Sequence, residues 1–123
     1  MYADIPIWSM AENRYLNAFM LIDTGANVTS FAQTALKRLG CYNENKKTRV
    51  TTASGVVDVY EVKFPKIRLG NTELVDVDVH SHIHLDNLLF DGIIGMNILR
   101  KFNFSVDFDK ALLTLENRSY ITQ

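Results

Sequence analysis

The residues of this chain best suited to chemistry are the four in Asp23-Thr24-Gly25-Ala26, which directly follow the apolar run at 18–22. An apolar run of this length indicates a buried strand, so the acid stands where a strand ends and a turn begins. Hydrolysis by carboxylates requires both an acid and a base, and the chain holds only one such loop. The sequence therefore predicts a site that is completed by a second copy of the chain.

The residues around Asp23 each have a physical role in such a site. Two carboxylates about 3 Å apart cannot both ionise, so a pair shares one proton and supplies an acid and a base together. Gly25 lets the backbone turn sharply, the Thr24 hydroxyl can hold the loop through backbone groups, and Ala26 is small enough for close packing. The alternative is that Asp23 is an ordinary acid that ends a strand and caps a turn.

Composition indicates one globular domain over residues 1–123, because this length supports a single core and is too short for two ordinary domains. The net charge is −1 and no basic stripe is present, which argues against nucleic acid and anionic membranes as partners. Cys41 is the only cysteine, so the chain can form neither an internal disulfide nor a thiolate metal site. We expect no cofactor and no metal.

Targeting signals are not evident in the chain. The start lacks a basic segment followed by an apolar one, and no apolar run approaches the roughly 20 residues that span a bilayer. We therefore expect a cytoplasmic protein, or a domain excised from a larger protein, with no membrane contact from this segment.

Strand patterns dominate the sequence. Residues 2–8 contain Pro6, which suits an edge or terminal strand, and residues 15–22 are nearly continuously apolar, which predicts a strand buried on both faces. Residues 49–62 predict a hairpin with a small, flexible tip. That tip consists of Ala53, Ser54 and Gly55.

Later strands are indicated by apolar residues at every second position, which place them on one strand face. Gly70-Asn71 predicts a turn between two of these strands, and Asp109-Lys110 predicts another. The apolar sets are Val75, Val77 and Val79, and then Phe104, Val106 and Phe108.

Two short helices interrupt the strands. Ser30 followed by Gln33 suggests a capping box, and Gly40 suits the end of that first helix. The second helix is predicted over residues 96–102. The residues expected to face the core are Ala32, Ala35, Leu36 and Leu39 in the first helix, and Met96, Leu99 and Phe102 in the second. Together these elements indicate a mainly β domain, largely antiparallel.

Three alternating histidines, His80, His82 and His84, share a strand face with Asp76 and Asp78. Such a set could bind zinc or nickel, or sense pH. Residues at i, i+2 and i+4 on a flat strand spread over some 13 Å, however, which is too far for one tetrahedral ion. A solvated polar face is therefore the favoured interpretation.

Other reactive residue types have simpler interpretations. Asp91-Gly92 lacks the hydroxyl residue between acid and glycine, so we expect Asp91 to be a structural acid at a strand end. Thr29 is better explained by capping than by nucleophilic catalysis, because no histidine lies near it in sequence. Cys41 has basic neighbours but no histidine context, and we expect a passive side chain.

Residues 21–27, Leu-Ile-Asp-Thr-Gly-Ala-Asn, resemble the active-site signature of the retropepsin-like aspartic proteases, the retroviral protease superfamily. Ile93-Ile94-Gly95, followed by Met96, is similar to that family's segment of two hydrophobic residues and a glycine before a short helix. A glycine-tipped hairpin lies between the two. The resemblance extends from about residue 2 to residue 115. It implies a closed antiparallel β domain with one or two short helices and a flap hairpin.

The resemblance also implies a homodimeric aspartic endopeptidase with Asp23, Thr24 and Gly25 as its catalytic residues. Water held between two Asp23 carboxylates would attack the peptide carbonyl, without metal or cofactor. Thr24 would bond across the two-fold axis, and residues 2–8 and 112–116 would interleave with the partner.

Substrate binding is implied on both sides of an extended peptide. The flap from residues 51–57 would close over the peptide, which would pair through its main chain like an added strand. The implied substrate-binding residues are Ala26, Asn27, Thr52, Ala53, Ser54, Gly55, Ile93 and Ile94.

Two other functions stay open. A peptide-binding or dimerisation module with the same fold and no turnover is possible, because fold alone does not establish function. The intact acid, threonine and glycine argue against it. The chain could also be a processing enzyme released from a larger polyprotein or membrane protein.

Overall fold

The computed structural model describes residues 1–41, 47–53, 55–82, 85 and 89–117, and these residues form nine strands and two short helices. The mainly β fold expected from the sequence is confirmed. Neither helix in these residues has the length and apolar character needed to cross a bilayer. In chain order the elements are β1 (Tyr2–Ser9), β2 (Arg14–Ile22), β3 (Ser30–Ala32), α1 (Gln33–Leu39), β4 (Lys47–Thr52), β5 (Gly55–Leu69), β6 (Thr72–His82), β7 (Gly92–Ile94), α2 (Met96–Leu99), β8 (Phe102–Asp107) and β9 (Leu112–Asn117).

Six strands form a closed sheet in the order β1-β2-β7-β3-β6-β5, and β5 returns to β1 where Ile67 pairs with Ile7. Among the described residues β4 pairs with β5 alone, so it lies outside this ring. Most neighbours are antiparallel as predicted, but β7 runs parallel to β2, and β3 runs parallel to β6. Alternation of side chains could not reveal these two directions, because it is the same in both kinds of sheet.

The core fills the interior of the closed sheet. Phe31 and Phe64 meet at its centre with ring centroids 4.8 Å apart, and full burial of each stabilises the fold by about 1.5–3 kcal/mol. The other large side chains with no exposed surface include Ile7, Met20, Leu36, Leu39, Ile67, Ile94, Ile98 and Leu99.

Strand β2 alternates between core and solvent, so the prediction that it is buried on both faces is wrong. Ala18 and Met20 are fully buried, whereas Asn17 and Phe19 face outward, and Phe19 is 41% exposed. The apolar run in the sequence is continuous because apolar residues such as Phe19 also occupy outward-facing positions of the strand. Phe19 stacks on Tyr2 of β1 at 5.1 Å, which accounts for an aromatic residue on the outer face.

Strand β6 changes face near its start. Val77 and Val79 are buried, but Val75 is 57% exposed, so the prediction that all three share one strand face is wrong. Asp76 adopts a left-handed backbone with φ 52°, and this interrupts the alternation. Pro65 lies opposite on β5 and has no N–H to contribute to the ladder there.

Helix α1 starts without a side-chain cap. Ser30, the predicted cap, instead begins β3, whose backbone pairs with both β6 and β7. Pairing with two strands outweighs the local capping preference. The predicted inner face is confirmed, and Gly40 ends the helix with φ 74° as expected. The buried residues of that face are Ala32, Ala35, Leu36 and Leu39.

The second helix packs into the core, and the last two strands follow it. Helix α2 ends at Leu99, and Phe102, which is buried as predicted, opens β8 instead of extending the helix. Strands β8 and β9 pair only with each other in the described part of the chain. Phe108 lies beyond the end of β8, in the turn, and is 78% exposed. Interleaving of β1 and β9 with a partner stays a prediction.

Candidate active site

Asp23 stands where two neighbouring parallel strands end. Leu21 and Ile22 of β2 pair with Ile93 and Ile94 of β7. The next residue, Asp23, continues this ladder by donating its N–H to the Ile94 carbonyl over 3.1 Å. The structure thus brings together the acid loop and the Ile-Ile-Gly segment, which are far apart in the sequence.

The loop folds tightly around the Asp23 carboxylate. The Gly25 N–H donates to Asp23 Oδ1 at 2.8 Å, and the Ala26 N–H donates to the Asp23 carbonyl at 3.2 Å. A Cβ at Gly25 would lie 3.2 Å from the same Oδ1, so glycine keeps this approach free of crowding. Asp23 is half-buried, and Thr24 and Gly25 are exposed. The carboxylate is therefore held by one oxygen at an accessible turn.

The far side of the loop lies on the start of α2. The Met96 N–H donates to the Ala26 carbonyl at 2.8 Å, and the Asn97 N–H donates to the Asn27 carbonyl at 3.0 Å. Gly95 allows this contact, because a Cβ there would lie 2.7 Å from the backbone of Val28. These backbone bonds fix the positions of Ala26 and Asn27, the two residues that follow Gly25. We call these two residues the floor of the site.

A buried hydrogen-bond network that the sequence did not predict supports this floor. Thr29, with no exposed surface, donates both its N–H and its hydroxyl to Asn97 Oδ1, each at 2.8 Å. The Thr29 hydroxyl also accepts the Gly95 N–H at 3.0 Å. Asn97 Nδ2 donates to the Asp78 carbonyl on β6 at 2.8 Å. One amide thus joins the loop, the start of α2 and β6. The signal in the sequence that could have indicated this network was Asn97, a polar residue among the apolar residues of a short helix.

Asp91 is a structural acid, as predicted. Its Oδ2 accepts the Phe19 N–H at 2.8 Å and lies 3.4 Å from a terminal nitrogen of Arg38. The carboxylate thereby ties β2 to α1 at the start of β7. It is engaged by the scaffold and stands apart from the Asp23 loop.

The predicted glycine-tipped hairpin is present as β4 and the first part of β5. Thr52 pairs with Gly55, which has φ 125°, a conformation that only glycine adopts readily. Ala53 at the tip is exposed, whereas Ser54 and the Thr52 side chain lie outside the described residues. Val56, next to the tip, is 64% exposed. The hairpin thus presents an apolar side chain, and its closure stays a prediction.

Ile93 and Ile94, both predicted to bind substrate, face opposite sides of the sheet. Ile93 is half-buried at the surface, whereas Ile94 has no exposed surface. Consecutive strand residues face opposite sides of a sheet, so only one of the pair can face a peptide. Ile94 is a core residue that serves the site through its carbonyl.

The alternating histidines do not assemble a metal site in the described residues, where no three His, Cys, Asp or Glu side chains converge. Asp78 pairs with Lys63 at 3.1 Å. His80 is half-buried, and burial lowers its pKa, an effect that the Glu61 carboxylate opposes. His84 lies outside the described residues. Burial also raises the pKa of the Cys41 thiol, which disfavours the reactive thiolate.

Comparison with known proteins places the whole arrangement in a family. A sequence profile described as "gag-polyprotein putative aspartyl protease" matches residues 13–101. No curated protein sequence matches the chain. Among solved structures, a retropepsin-like aspartic protease from Rickettsia conorii superposes with a TM-score of 0.64 at 20% identity, covering 92% of this chain and 87% of that one. The retroviral protease-like domain of Ddi1 from Leishmania major gives a TM-score of 0.62 at 14% identity, covering 100% and 97%. At these identities the two structures show a shared fold.

The Asn97 network leads to a stability prediction. Asn97→Ala removes the acceptor of two Thr29 donors, of which the N–H is buried and left unpaired. We expect the free energy of unfolding to fall by about 2–3 kcal/mol. Urea unfolding measures the change. Asn103→Ala, at an exposed position on β8, is the matched control and should alter stability by less than about 0.5 kcal/mol. Equal effects of the two substitutions would show that the network contributes little.

Burial of His80 leads to a prediction about pH. Because its pKa is lowered in the folded protein, the unfolded chain binds that proton more tightly. The free energy of unfolding should therefore fall as the pH drops below the ordinary histidine pKa of 6.5. His80→Gln removes this contribution, so its stability should decline less than that of the wild type between pH values of about 7.5 and 5. Urea unfolding at both pH values tests this, and identical declines would contradict it.

Proposed function

The chain belongs to the gag-polyprotein aspartyl protease family and has the retropepsin fold, and from this premise we propose that it is a homodimeric aspartic endopeptidase. Its substrates are extended peptide segments. The observation that carries the proposal is the Asp23 carboxylate at an accessible turn. That turn is fixed by bonds from the Asp23 and Gly25 N–H groups.

The need for a second chain follows from the number of carboxylates. Each chain supplies one Asp-Thr-Gly loop, and acid–base hydrolysis uses two acidic groups in different protonation states. Within the described residues no side chain bonds the second oxygen of Asp23, and Thr24 beside it is exposed. A two-fold axis through this point places the same loop of a partner opposite.

The chemical step uses the pair as one acid and one base. The ionised carboxylate takes a proton from water as the water oxygen attacks the peptide carbonyl carbon. The protonated partner gives its proton to the carbonyl oxygen. As this tetrahedral species collapses, the C–N bond breaks and the proton gained from water passes to the leaving nitrogen. One hydroxyl of the tetrahedral species returns a proton to the partner carboxylate. The products are a carboxylic acid and an amine, and both Asp23 side chains return to their starting states.

The peptide lies between the flap and the floor. Ala26 and Asn27 have their carbonyls bonded to α2, so this floor is fixed before substrate arrives. The flap backbone near Gly55 and the exposed side chain of Val56 face the peptide from the other side. Main-chain bonds to an extended peptide give affinity without strict sequence preference, as in other strand-addition complexes.

The catalytic role of Asp23 is tested by removing its charge. Asp23→Asn should lower cleavage of a diverse unstructured peptide pool at a pH of about 5 by at least about 10²-fold, the usual contribution of acid–base catalysis. Mass spectrometry of the products gives both rate and cleavage sites. Asp109→Asn, at an exposed position in the turn between β8 and β9, is the matched control and should cleave like the wild type.

Three outcomes separate the candidate functions in that assay. Cleavage by the wild type and Asp109→Asn alone supports the peptidase. Unchanged cleavage by Asp23→Asn would overturn the assigned mechanism. A folded dimer that binds peptides and cleaves none would favour the silent binding module instead.

The shared site is tested by mixing subunits. Excess Asp23→Asn should suppress wild-type activity, because most wild-type chains then sit in heterodimers with a single carboxylate. Activity of the wild type alone should also fall faster than linearly on dilution below the dimer dissociation constant. An equal excess of Asp109→Asn is the control and should raise total activity. Proportional dilution together with no suppression would contradict a site built from two chains.

A further inference from the structure

A groove of about 690 Å³ lies beside the catalytic loop, within the size range of ligand sites. Val28 and Asn97 form the wall nearest the loop, and residues of β5 and β6 form the opposite wall. All of its lining residues belong to the described part of the chain. Neither the carboxylate nor the flap tip contributes to it, so the proposed chemistry leaves this groove without a role.

Chain geometry limits the distance between the groove and Asp23. Val28 follows Asp23 by five residues, and consecutive Cα atoms are about 3.8 Å apart, so the two Cα atoms are at most about 19 Å apart. An extended peptide advances about 3.3 Å per residue. A peptide that extends from Asp23 toward Val28 therefore spans this distance with at most about six residues.

The groove has one partly exposed apolar residue and a charged rim. Val28 beside the catalytic loop is half-buried, whereas the side chains of Val62, Val77 and Val79 are almost completely buried in the core. On the rim, Lys63 and Asp78 neutralise each other in an ion pair at 3.1 Å. An apolar side chain such as Val28 contacts the stem of a long substrate side chain while the rim contacts its charged end.

Two opposite charges on the rim have no partner in the described residues. Asp76 and Lys101 are both exposed, and neither side chain makes a hydrogen bond or an ion pair there. Asp76 is also one of only three non-glycine residues with positive φ in that part of the chain. Backbone strain of this kind is common where a side chain serves a ligand.

We propose that this groove binds the distal part of the peptide substrate and selects charged side chains within about six residues of the scissile bond. Lys101 recognises an acidic side chain, and Asp76 recognises a basic one. The inference rests on the proposed peptidase function and adds a substrate preference to it. In a two-fold symmetric dimer the groove occurs twice, so the preference applies on both sides of the cleaved bond.

Charge reversal tests the groove. A set of peptides shares one cleavable centre and carries Glu, Lys or Ala at single positions three to eight residues from the scissile bond. For the wild type, kcat/KM should be at least about fivefold higher with Glu than with Ala at one or more of these positions, the scale of a modest ion pair. Lys101→Glu should reverse that order and favour Lys, through KM and with kcat unchanged. Asp76→Lys should abolish any preference for Lys.

Controls separate the groove from general charge effects and from failure of the proposed function. Lys110→Glu, at an exposed position in the turn between β8 and β9, changes net charge equally and should keep the wild-type order. Cleavage with the same order in Lys101→Glu would overturn the groove while leaving the peptidase intact. Anisotropy of the same fluorescent peptides bound to Asp23→Asn reads the preference without turnover. If neither cleavage nor charge-dependent binding occurs, the groove inference is wrong together with the peptidase proposal.

Discussion

The close approach of Gly95 to the backbone of Val28 is the contact on which the rest of this structure depends. No side chain fits between them, since a Cβ on Gly95 would lie 2.7 Å from two Val28 backbone atoms. The absence of a side chain on Gly95 lets two segments that are far apart in the sequence cross with their backbones in contact. It also brings the Gly95 N–H to the Thr29 hydroxyl and the Met96 N–H to the Ala26 carbonyl. The position of the acid is therefore set by main-chain packing, and only one oxygen of the Asp23 carboxylate is bonded within the described residues.

Features encoded by neighbouring residues could be predicted from the sequence. The acid loop, the glycine-tipped hairpin and the inner face of α1 each depend on a few consecutive positions, and each was found where expected. The resemblance of two short motifs then supplied the closed fold. Local patterns were sufficient for elements whose partners lie close in the chain.

Features that depend on distant partners could not be predicted in this way. Thr29 and Asn97 are separated by 68 positions, and neither residue type predicts the hydrogen bond between them. The parallel pairing of β3 with β6 overrode the local capping signal of Ser30. The exposure of Val75 depends on the left-handed backbone of Asp76, a conformation that alternation alone does not reveal. In each case the tertiary structure decided between locally reasonable alternatives.

The position of β4 outside the closed ring has a mechanical consequence. Strand β5 pairs with β4 in its first part and with β6 in its second, and Tyr60 is the residue where both pairings meet. A movement of β4 with the part of β5 that precedes the fully buried Val59 leaves the ladders of the ring unbroken. In the proposed peptidase, a peptide would then enter and leave without loosening the scaffold that holds the acid.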